Sequence, residues 1–227
     1  DFVDIDIHSG LIDIKKLKEK LEISKIANKL PSVLVVVHLA GTSCEMKEIF
    51  KLSKKYNFKI IEDASHALGG VYKGHKIGSC FFSNITIFSF HPVKIITSGE
   101  GGVATTNNPK LAQRIQDLRS HGIVRDPNRL FKEKDLETKY EQHILGFNYR
   151  MTDIHASLGL NQLKRLDQII QKRNKILKSY QKKLKDLPLQ LLQVPHGILS
   201  SVHLVIIILN ENLKESHTNI FNKLRKK

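Results

Sequence analysis

Short, continuous apolar runs in the first half of the chain predict buried β-strands. They lie at residues 32–38 (SVLVVVH), 59–62 (KIIE) and 85–88 (ITIF), and Val and Ile dominate them. A short apolar run without polar alternation is typical of a strand that is covered on both faces. We therefore expect these runs to form the interior of a sheet.

Two further segments have the apolar spacing of amphipathic helices. Residues 12–26 precede the first run, with Asp13 as the expected N-cap, and residues 46–56 precede the second. Helix, strand, helix and strand in this order predict parallel strands that are joined by right-handed crossovers. The pattern therefore indicates an α/β fold with a mostly parallel sheet flanked by helices.

The whole chain divides into three predicted regions. We expect a large domain over residues 1–150, a long connecting helix over 151–185 that begins at Thr152 or Asp153, and an incomplete small domain over 186–227. The shorter predicted elements are a strand at 1–7, a hairpin at 71–78, a strand at 103–104, a helix at 109–120, a long mobile loop at 121–140, a strand at 202–209 and a helix from 219.

Composition narrows the cellular setting of the protein. The two cysteines, Cys44 and Cys80, fit neither a metal-binding spacing nor a disulfide framework, which favours a reducing compartment. The chain opens on an acidic segment unlike a signal peptide, and its longest apolar run, residues 204–209, is too short to span a bilayer. We therefore expect a cytoplasmic protein without a membrane partner.

The charge of the chain favours anionic partners. A net charge of +15, from 37 Lys and Arg against 22 Asp and Glu, suits either a nucleic acid or a small molecule that carries phosphate. The excess is concentrated at residues 164–185 without interleaved aromatic residues, and no helix-turn-helix or zinc-finger pattern is present. We expect no nucleic-acid binding, with a basic nucleic-acid-binding domain kept as an alternative.

Polar residues follow three of the predicted strands. His38 is the last residue of the first run, and Asp63 directly follows the second. Lys94 follows the third run, just before the glycine-rich turn at 98–102. Because ligands bind beyond the carboxyl ends of parallel strands, we expect these three side chains to converge on one crevice. A partly desolvated Lys94 would be a good nucleophile toward a carbonyl. Judged from this local sequence alone, however, a lysine that merely extends from a strand end is the favoured interpretation.

Asp63 and Lys94 together suit pyridoxal phosphate (PLP). A lysine amine reacts with the aldehyde of this cofactor, and a carboxylate keeps the ring nitrogen protonated. Ser89 and the backbone of residues 99–102 would supply hydrogen bonds to the phosphate. Taken alone, Asp63 is better explained as a helix cap or a loop carboxylate.

Four longer motifs decide between these interpretations, because together they resemble the motifs of a known protein family. The segments IEDASHALGG, TIFSFHPVKIITSGEGG, RSHGI and GFNYRMTDIHASLGLNQL occur in this order between residues 61 and 163. Together they resemble the DegT/StrS family of PLP-dependent nucleotide-sugar aminotransferases, and the resemblance covers most of the chain. It implies the type I PLP-dependent aminotransferase fold, here with a partial C-terminal α+β domain.

The resemblance also implies a role for each candidate site residue. Lys94 would hold the cofactor and move the reacting proton, Asp63 would pair with the ring nitrogen, and His66 would lie near the phenolic oxygen. Ser89 would bind the phosphate, while Asn148 would reach the phosphate of a neighbouring subunit's cofactor, which implies a homodimer with shared active sites. Relatives with His at the lysine position dehydrate sugars, so Lys94 favours transamination. No metal is implied.

The implied substrate is a 4-keto-6-deoxy nucleotide sugar, with L-glutamate as the amino donor. The segments VHLAGTSCEM and FSFHPVK narrow the resemblance to the UDP-sugar branch that serves pseudaminic acid biosynthesis, and other 4-keto-6-deoxy sugars stay open. Compared with the family pattern, the sequence is truncated at both ends, and we expect these 227 residues alone to bind PLP poorly. A catalytically inactive member with a structural or regulatory role is the alternative.

Overall fold

The computed structural model describes residues 1–131, 140–210, 212–213 and 215–226. Its helices are α1 (Ile14–Ile26), α2 (Met46–Tyr56), α3 (Pro109–Arg119), α4 (Asp153–Leu163), α5 (Leu166–Lys183) and α6 (His217–Arg225). Its strands are β1 (Val33–Val37), β2 (Lys59–Asp63), β3 (Val71–Tyr72), β4 (His75–Lys76), β5 (Ile85–Ser89), β6 (Gly102–Thr105), β7 (Ile123–Val124), β8 (Glu141–Gln142), β9 (Leu189–Leu191), β10 (Ile198–Leu199) and β11 (Ile207–Leu209).

The central sheet has the strand order β1-β2-β5-β6. The pairs β1–β2 and β2–β5 are parallel, and β5–β6 is antiparallel. In this register Asp63, the last residue of β2, lies between Val37 of β1 and Ile87 of β5. The predicted α/β fold with parallel strands and flanking helices is therefore confirmed.

The main hydrophobic core lies between the sheet and the helices α1 and α2. Both helices begin and end close to their predicted bounds, and the Asp13 carboxylate caps α1 by accepting from the backbone N–H groups of Lys15 and Lys16. Buried residues of this core are Leu17, Leu21, Val36, Met46, Ile49, Leu52, Tyr56, Phe58 and Ile60. The apolar face of each helix is thus removed from water, which is the main source of stability for such a layer.

The predicted coverage of the first strand on both faces is wrong. Val33, Val35 and Val37 alternate with better-buried neighbours and are about half exposed. They line an open groove of about 650 Å³ together with Phe2 and Ile5. The expected strand at residues 1–7 is also wrong. Within this segment Ile5 forms an isolated β-bridge with Ile12, and no strand is present.

The predicted connecting helix is two helices rather than one. α4 ends at Leu163 and α5 begins at Leu166, with Lys164 and Arg165 in the break. Thr152 caps α4, as expected. Ile170 of α5 is buried, whereas Ile154 and Leu158 of α4 are exposed.

Two other predicted segments also differ from the structure. Of the strand expected at 202–209, only Ile207–Leu209 pairs, with β9, because the backbone before it follows the Leu39–Gly41 turn instead. The expected loop at 121–140 contains β7, which pairs with β8, and a short 3-10 helix at Pro127–Arg129. Residues 132–139 of that loop lie outside the described residues.

Within the described part of the chain, no helix has the length and apolar character needed to cross a membrane.

Candidate active site

Asp63 is fixed at the carboxyl edge of the sheet by both neighbouring strands. Its backbone carbonyl accepts from His38 N at 3.0 Å, and Ala64 N donates to Ile87 O at 2.9 Å. The Asp63 Oδ1 atom accepts from Ser65 N at 3.0 Å, which orients the carboxylate. The aspartate therefore has a defined direction at the end of the strand, and its side chain is only partly buried.

Lys94 lies on a turn that is closed by hydrogen bonds and packed against α5. Phe90 O accepts from Ser98 N at 3.0 Å and from Thr97 Oγ1 at 2.9 Å, which closes the turn. Ile95 and Ile96, directly after the lysine, are buried against Ile170 of α5. Burial of these two side chains holds the turn against the protein and leaves the adjacent Lys94 half-buried at its surface.

His66 lies beside Asp63 and Lys94 and is stacked on a second imidazole. The ring centroids of His66 and His203 are 4.4 Å apart, with 41° between the ring planes. His203 belongs to the C-terminal part of the chain and was not anticipated from the sequence. The Nδ1 atoms of both rings are buried, and within the described part of the chain neither has a hydrogen-bond partner.

The electrostatics of this cluster keep both imidazoles neutral. Burial lowers the pKa of His66, the Lys94 ammonium lowers this pKa further, and the Asp63 carboxylate opposes that shift. Burial, the neighbouring His66 and the cationic side chains of Lys94 and Arg173 together lower the pKa of His203 to about 4. Both imidazoles of the cluster are therefore neutral at neutral pH.

The segment Ser200–Leu204 is tied closely to the large domain. Ser201 Oγ donates to His66 O at 3.1 Å across 135 positions of sequence, and Ser201 N donates to Gly41 O at 3.0 Å. Asn174 Nδ2 of α5 donates to Ser200 O at 2.9 Å. These bonds bring a residue of the C-terminal region into the site that Asp63 and Lys94 define.

His38 does not join the crevice, so the expected convergence of three strand ends is wrong for this residue. Its ring is fully buried, with Nδ1 accepting from Cys44 N at 3.2 Å and Nε2 lying 2.8 Å from the Glu62 carboxylate. Because Nδ1 accepts, the ring proton lies on Nε2 and is donated to Glu62. His38 is thus part of the interior beneath the site.

The glycine-rich turn has less capacity for a phosphate than we expected. Gly99 N already donates to Thr97 Oγ1 at 2.9 Å, and a Cβ on Gly101 would lie 2.5 Å from Met151 Cε. Ser89 ends β5 opposite Gly102, and its hydroxyl oxygen accepts only a long bond of 3.4 Å from His91 N. The Ser89 hydroxyl therefore stays a candidate phosphate ligand, whereas the Gly99 amide is used within the turn.

Asn148 lies on an exposed surface. It forms an isolated bridge with Ser120, and its side chain is exposed. Phe147 and Tyr149 on either side are also exposed and stack on each other, with ring centroids 4.8 Å apart. The structure thus brings together Asp63, His66 and Lys94 and leaves Asn148 on an exposed aromatic surface.

The donor set fits PLP in its chemistry. Lys94 offers an amine to the aldehyde, and Asp63 offers an oriented carboxylate to the ring nitrogen. The neutral His66 imidazole lies beside these two side chains. A lysine and a carboxylate at the carboxyl edge of this sheet have the chemistry to hold a carbonyl-bearing cofactor.

Comparisons with known proteins agree with this class of site. Residues 1–227 match the DegT/DnrJ/EryC1/StrS aminotransferase family. The UDP-4-amino-4,6-dideoxy-N-acetyl-β-L-altrosamine transaminase of Campylobacter jejuni is 46% identical over 183 residues, which are 80% of this chain and 44% of that protein.

Solved structures of related proteins have the same fold. Helicobacter pylori PseC, an aminotransferase involved in the biosynthesis of pseudoaminic acid, superposes with a TM-score of 0.86 at 32% identity, over 100% of this chain and 56% of PseC. The PMP form of the sugar aminotransferase Spr1654 from Streptococcus pneumoniae gives 0.82 at 29% identity, over 99% of this chain and 59% of that protein.

The chain belongs to the DegT/DnrJ/EryC1/StrS aminotransferase family. It spans about half the length of the curated relatives, with 44% and 52% coverage of two Campylobacter jejuni transaminases.

Proposed function

We propose that this chain carries the cofactor-binding part of a PLP-dependent nucleotide-sugar aminotransferase. The observation that carries the proposal is the placement of Lys94, Asp63 and His66 at one edge of the sheet, with the His66 pKa responding to both other groups. PLP supplies an aldehyde that accepts an amino group and a protonated ring that withdraws electrons from the reacting carbon. The residues around it have separate tasks.

Lys94 would hold PLP through the cofactor's aldehyde and, once released from it, would move the proton at the reacting carbon of donor and acceptor. Its turn is held by buried Ile95 and Ile96, so the amine has a stable position. Asp63 keeps the ring nitrogen protonated by placing a negative charge beside it. His66 would offer a neutral imidazole to the phenolic oxygen, and the Ser89 hydroxyl would bind the phosphate.

The substrate class follows from the relatives. We infer transfer of an amino group from L-glutamate to a 4-keto-6-deoxy nucleotide sugar, with a UDP-linked sugar of pseudaminic acid biosynthesis as the first candidate. The altrosamine transaminase identity of 46% and the likeness to PseC support this choice. A basic chain, with a net charge of +15, suits a substrate that carries a diphosphate.

We also propose a homodimer and a cytoplasmic location. The stacked, exposed rings of Phe147 and Tyr149 flank Asn148 and provide an apolar surface of the kind that protein interfaces use. A second subunit at this surface would bring Asn148 to a neighbouring cofactor. The free, buried thiols of Cys44 and Cys80 suit a reducing compartment.

Chemical trapping of the cofactor tests the proposal. The chain is mixed with excess PLP, reduced with borohydride, digested and analysed by mass spectrometry. We expect one PLP adduct on the Lys94 peptide, no such adduct in Lys94→Ala, and undiminished Lys94 labelling in Lys172→Ala, which removes an exposed lysine of α5. Labelling spread evenly over exposed lysines, with no preference for Lys94, would overturn the proposal.

A further inference from the structure

The turn that carries Lys94 is closed at its two ends by main-chain hydrogen bonds. It spans residues 90–101, and Phe90 N donates to Gly101 O at 2.8 Å. Phe90 O accepts from Ser98 N at 3.0 Å. Lys94 lies between these ends, where its side chain is half-buried.

A side-chain hydroxyl also crosses this turn. Thr97 Oγ1 donates to Phe90 O at 2.9 Å and accepts from Gly99 N at 2.9 Å. Both distances are ordinary for hydrogen bonds, and both bonds are partly shielded from water. One hydroxyl thus connects a residue before Lys94 with a residue after it.

Packing anchors the turn on the side that follows the lysine. The two residues after Lys94 are buried against α5, whereas residues 91–93 before it are exposed. The Thr97 hydroxyl ties the anchored side to Phe90, at the start of the turn. Loss of this hydroxyl should give Lys94 more conformational freedom, because exposed loop residues without fixed contacts are the most mobile.

We propose that Thr97 is a positioning residue for Lys94, whose hydroxyl holds the turn in the shape from which the lysine amine reaches the aldehyde of PLP. The inference rests on the proposed function and deepens it. In the attachment step the neutral Lys94 amine forms a C=N double bond to the aldehyde carbon, and the aldehyde oxygen leaves as water with both amine protons. An amine that is ordered beforehand loses less conformational entropy in that step.

Two forms of the cofactor separate the positioning of Lys94 from the shape of the pocket. PLP bonds to Lys94, whereas pyridoxamine phosphate (PMP) has an amine in place of the aldehyde and binds without that bond. The dissociation constants of the 227-residue chain are measured by absorbance for PLP and by fluorescence for PMP. Lys94→Ala defines the full loss of the covalent bond, and thermal unfolding without ligand gives the stability of each variant.

Three further variants complete the comparison. Thr97→Val keeps the branched shape and removes the hydroxyl, whereas Thr97→Ser keeps the hydroxyl and removes the methyl group. Thr106→Val is the matched control near the opposite end of β5. There Thr106 Oγ1 donates to Asn84 O at 2.7 Å and accepts from Asn108 N at 3.1 Å, which is the same pattern of bonds.

We expect Thr97→Val to affect the two cofactor forms differently. It should weaken PLP binding about tenfold, as expected for the loss of two hydrogen bonds that order the amine, and should leave PMP binding nearly unchanged. Thr97→Ser should bind both forms as the wild type does. Thr106→Val should lower the melting temperature about as much as Thr97→Val and should change neither affinity.

Three results for a wild type that binds both forms would overturn the inference. The first is an equal weakening of PLP and PMP binding in Thr97→Val, which would assign Thr97 to the shape of the pocket. The second is wild-type PLP affinity in Thr97→Val, and the third is a Thr97→Ser variant that binds PLP as weakly as Thr97→Val. A wild type that saturates with neither PLP nor PMP would instead refute the proposed function, and this inference with it.

Discussion

Replacing Glu62 by Gln tests the buried network that supports the strand carrying Asp63. Glu62 is 5% exposed, and its carboxylate accepts from His38 Nε2 at 2.8 Å, from Thr86 Oγ1 at 2.9 Å and from Ser83 Oγ. Burial by itself would raise the pKa of Glu62, but the bonds from His38, Ser83 and Thr86 outweigh burial and lower the pKa. The carboxylate is therefore ionised in the folded protein at neutral pH.

The magnitude follows from these three bonds. A hydrogen bond to a charged group contributes about 1.5–3 kcal/mol, against about 0.5–1.5 kcal/mol for a neutral pair, so Gln loses about 1 kcal/mol per bond. Removing a buried charge recovers part of that loss. We expect Glu62→Gln to lower the free energy of unfolding by about 1–2 kcal/mol, which lowers the melting temperature by roughly 3–6 °C in a chain of this size.

The direction of the pH dependence follows from the lowered pKa of Glu62. Because the folded-state pKa of Glu62 lies below its unfolded value of 4.5, the stabilisation is fully present above pH 4.5. It is lost as the pH falls through the folded-state pKa, where Glu62 takes up a proton. The difference between the wild type and Glu62→Gln should therefore be large at neutral pH and should shrink as the pH falls below 4.5.

The assay is thermal unfolding followed by circular dichroism over that pH range. Glu19→Gln is the matched control, because Glu19 is half exposed and, among the described residues, forms an ion pair only with Lys16, at 3.5 Å, so its loss should change stability little. Equal melting temperatures of the wild type and Glu62→Gln at neutral pH, or a difference that does not change with acid, would refute the ionised buried network.

Two further predictions concern the site itself. Gly101→Ala should destabilise the Lys94 turn by about 1–3 kcal/mol, because its Cβ would meet Met151 Cε at 2.5 Å and Ser98 Oγ at 2.7 Å. Gly74→Ala, also at positive φ but with nothing within 4 Å, is the control in thermal unfolding, and equal losses would contradict the steric argument. Asp63→Asn should weaken PLP binding about tenfold or more in a fluorescence titration while leaving the unfolding temperature without PLP nearly unchanged. Unaltered affinity would remove Asp63 from the cofactor site.

Local sequence pattern accounts for the sheet, its two flanking helices and most of the cluster at its edge. The bounds of α2 agree with the prediction because apolar spacing and an unbroken run of helix formers are local properties. Asp63 and Lys94 were proposed from the sequence because polar residues after buried strands mark the ligand-binding edge of such sheets. His66 was found only through the resemblance of its segment to a family.

The errors have a common cause in long-range contacts. His38 also follows a strand, yet its ring turns inward to Glu62, a partner 24 positions away that the pattern does not reveal. The break between α4 and α5 falls on Lys164 and Arg165, which are good helix formers, so propensity predicts continuity there. His203 was missed because its segment reads as a strand, and only its docking against the large domain brings it to His66.

The decisive measurement is the visible absorbance of the chain at saturating PLP, followed during addition of L-glutamate. Although we expect these 227 residues alone to bind PLP poorly, saturation should give a visible band that Lys94→Ala lacks and that L-glutamate bleaches as the amino group passes to the cofactor. A band of equal strength in Lys94→Ala would contradict the assignment of the lysine. A Lys94-dependent band that L-glutamate leaves unchanged would contradict transamination from this donor and favour a family member that holds PLP without this activity.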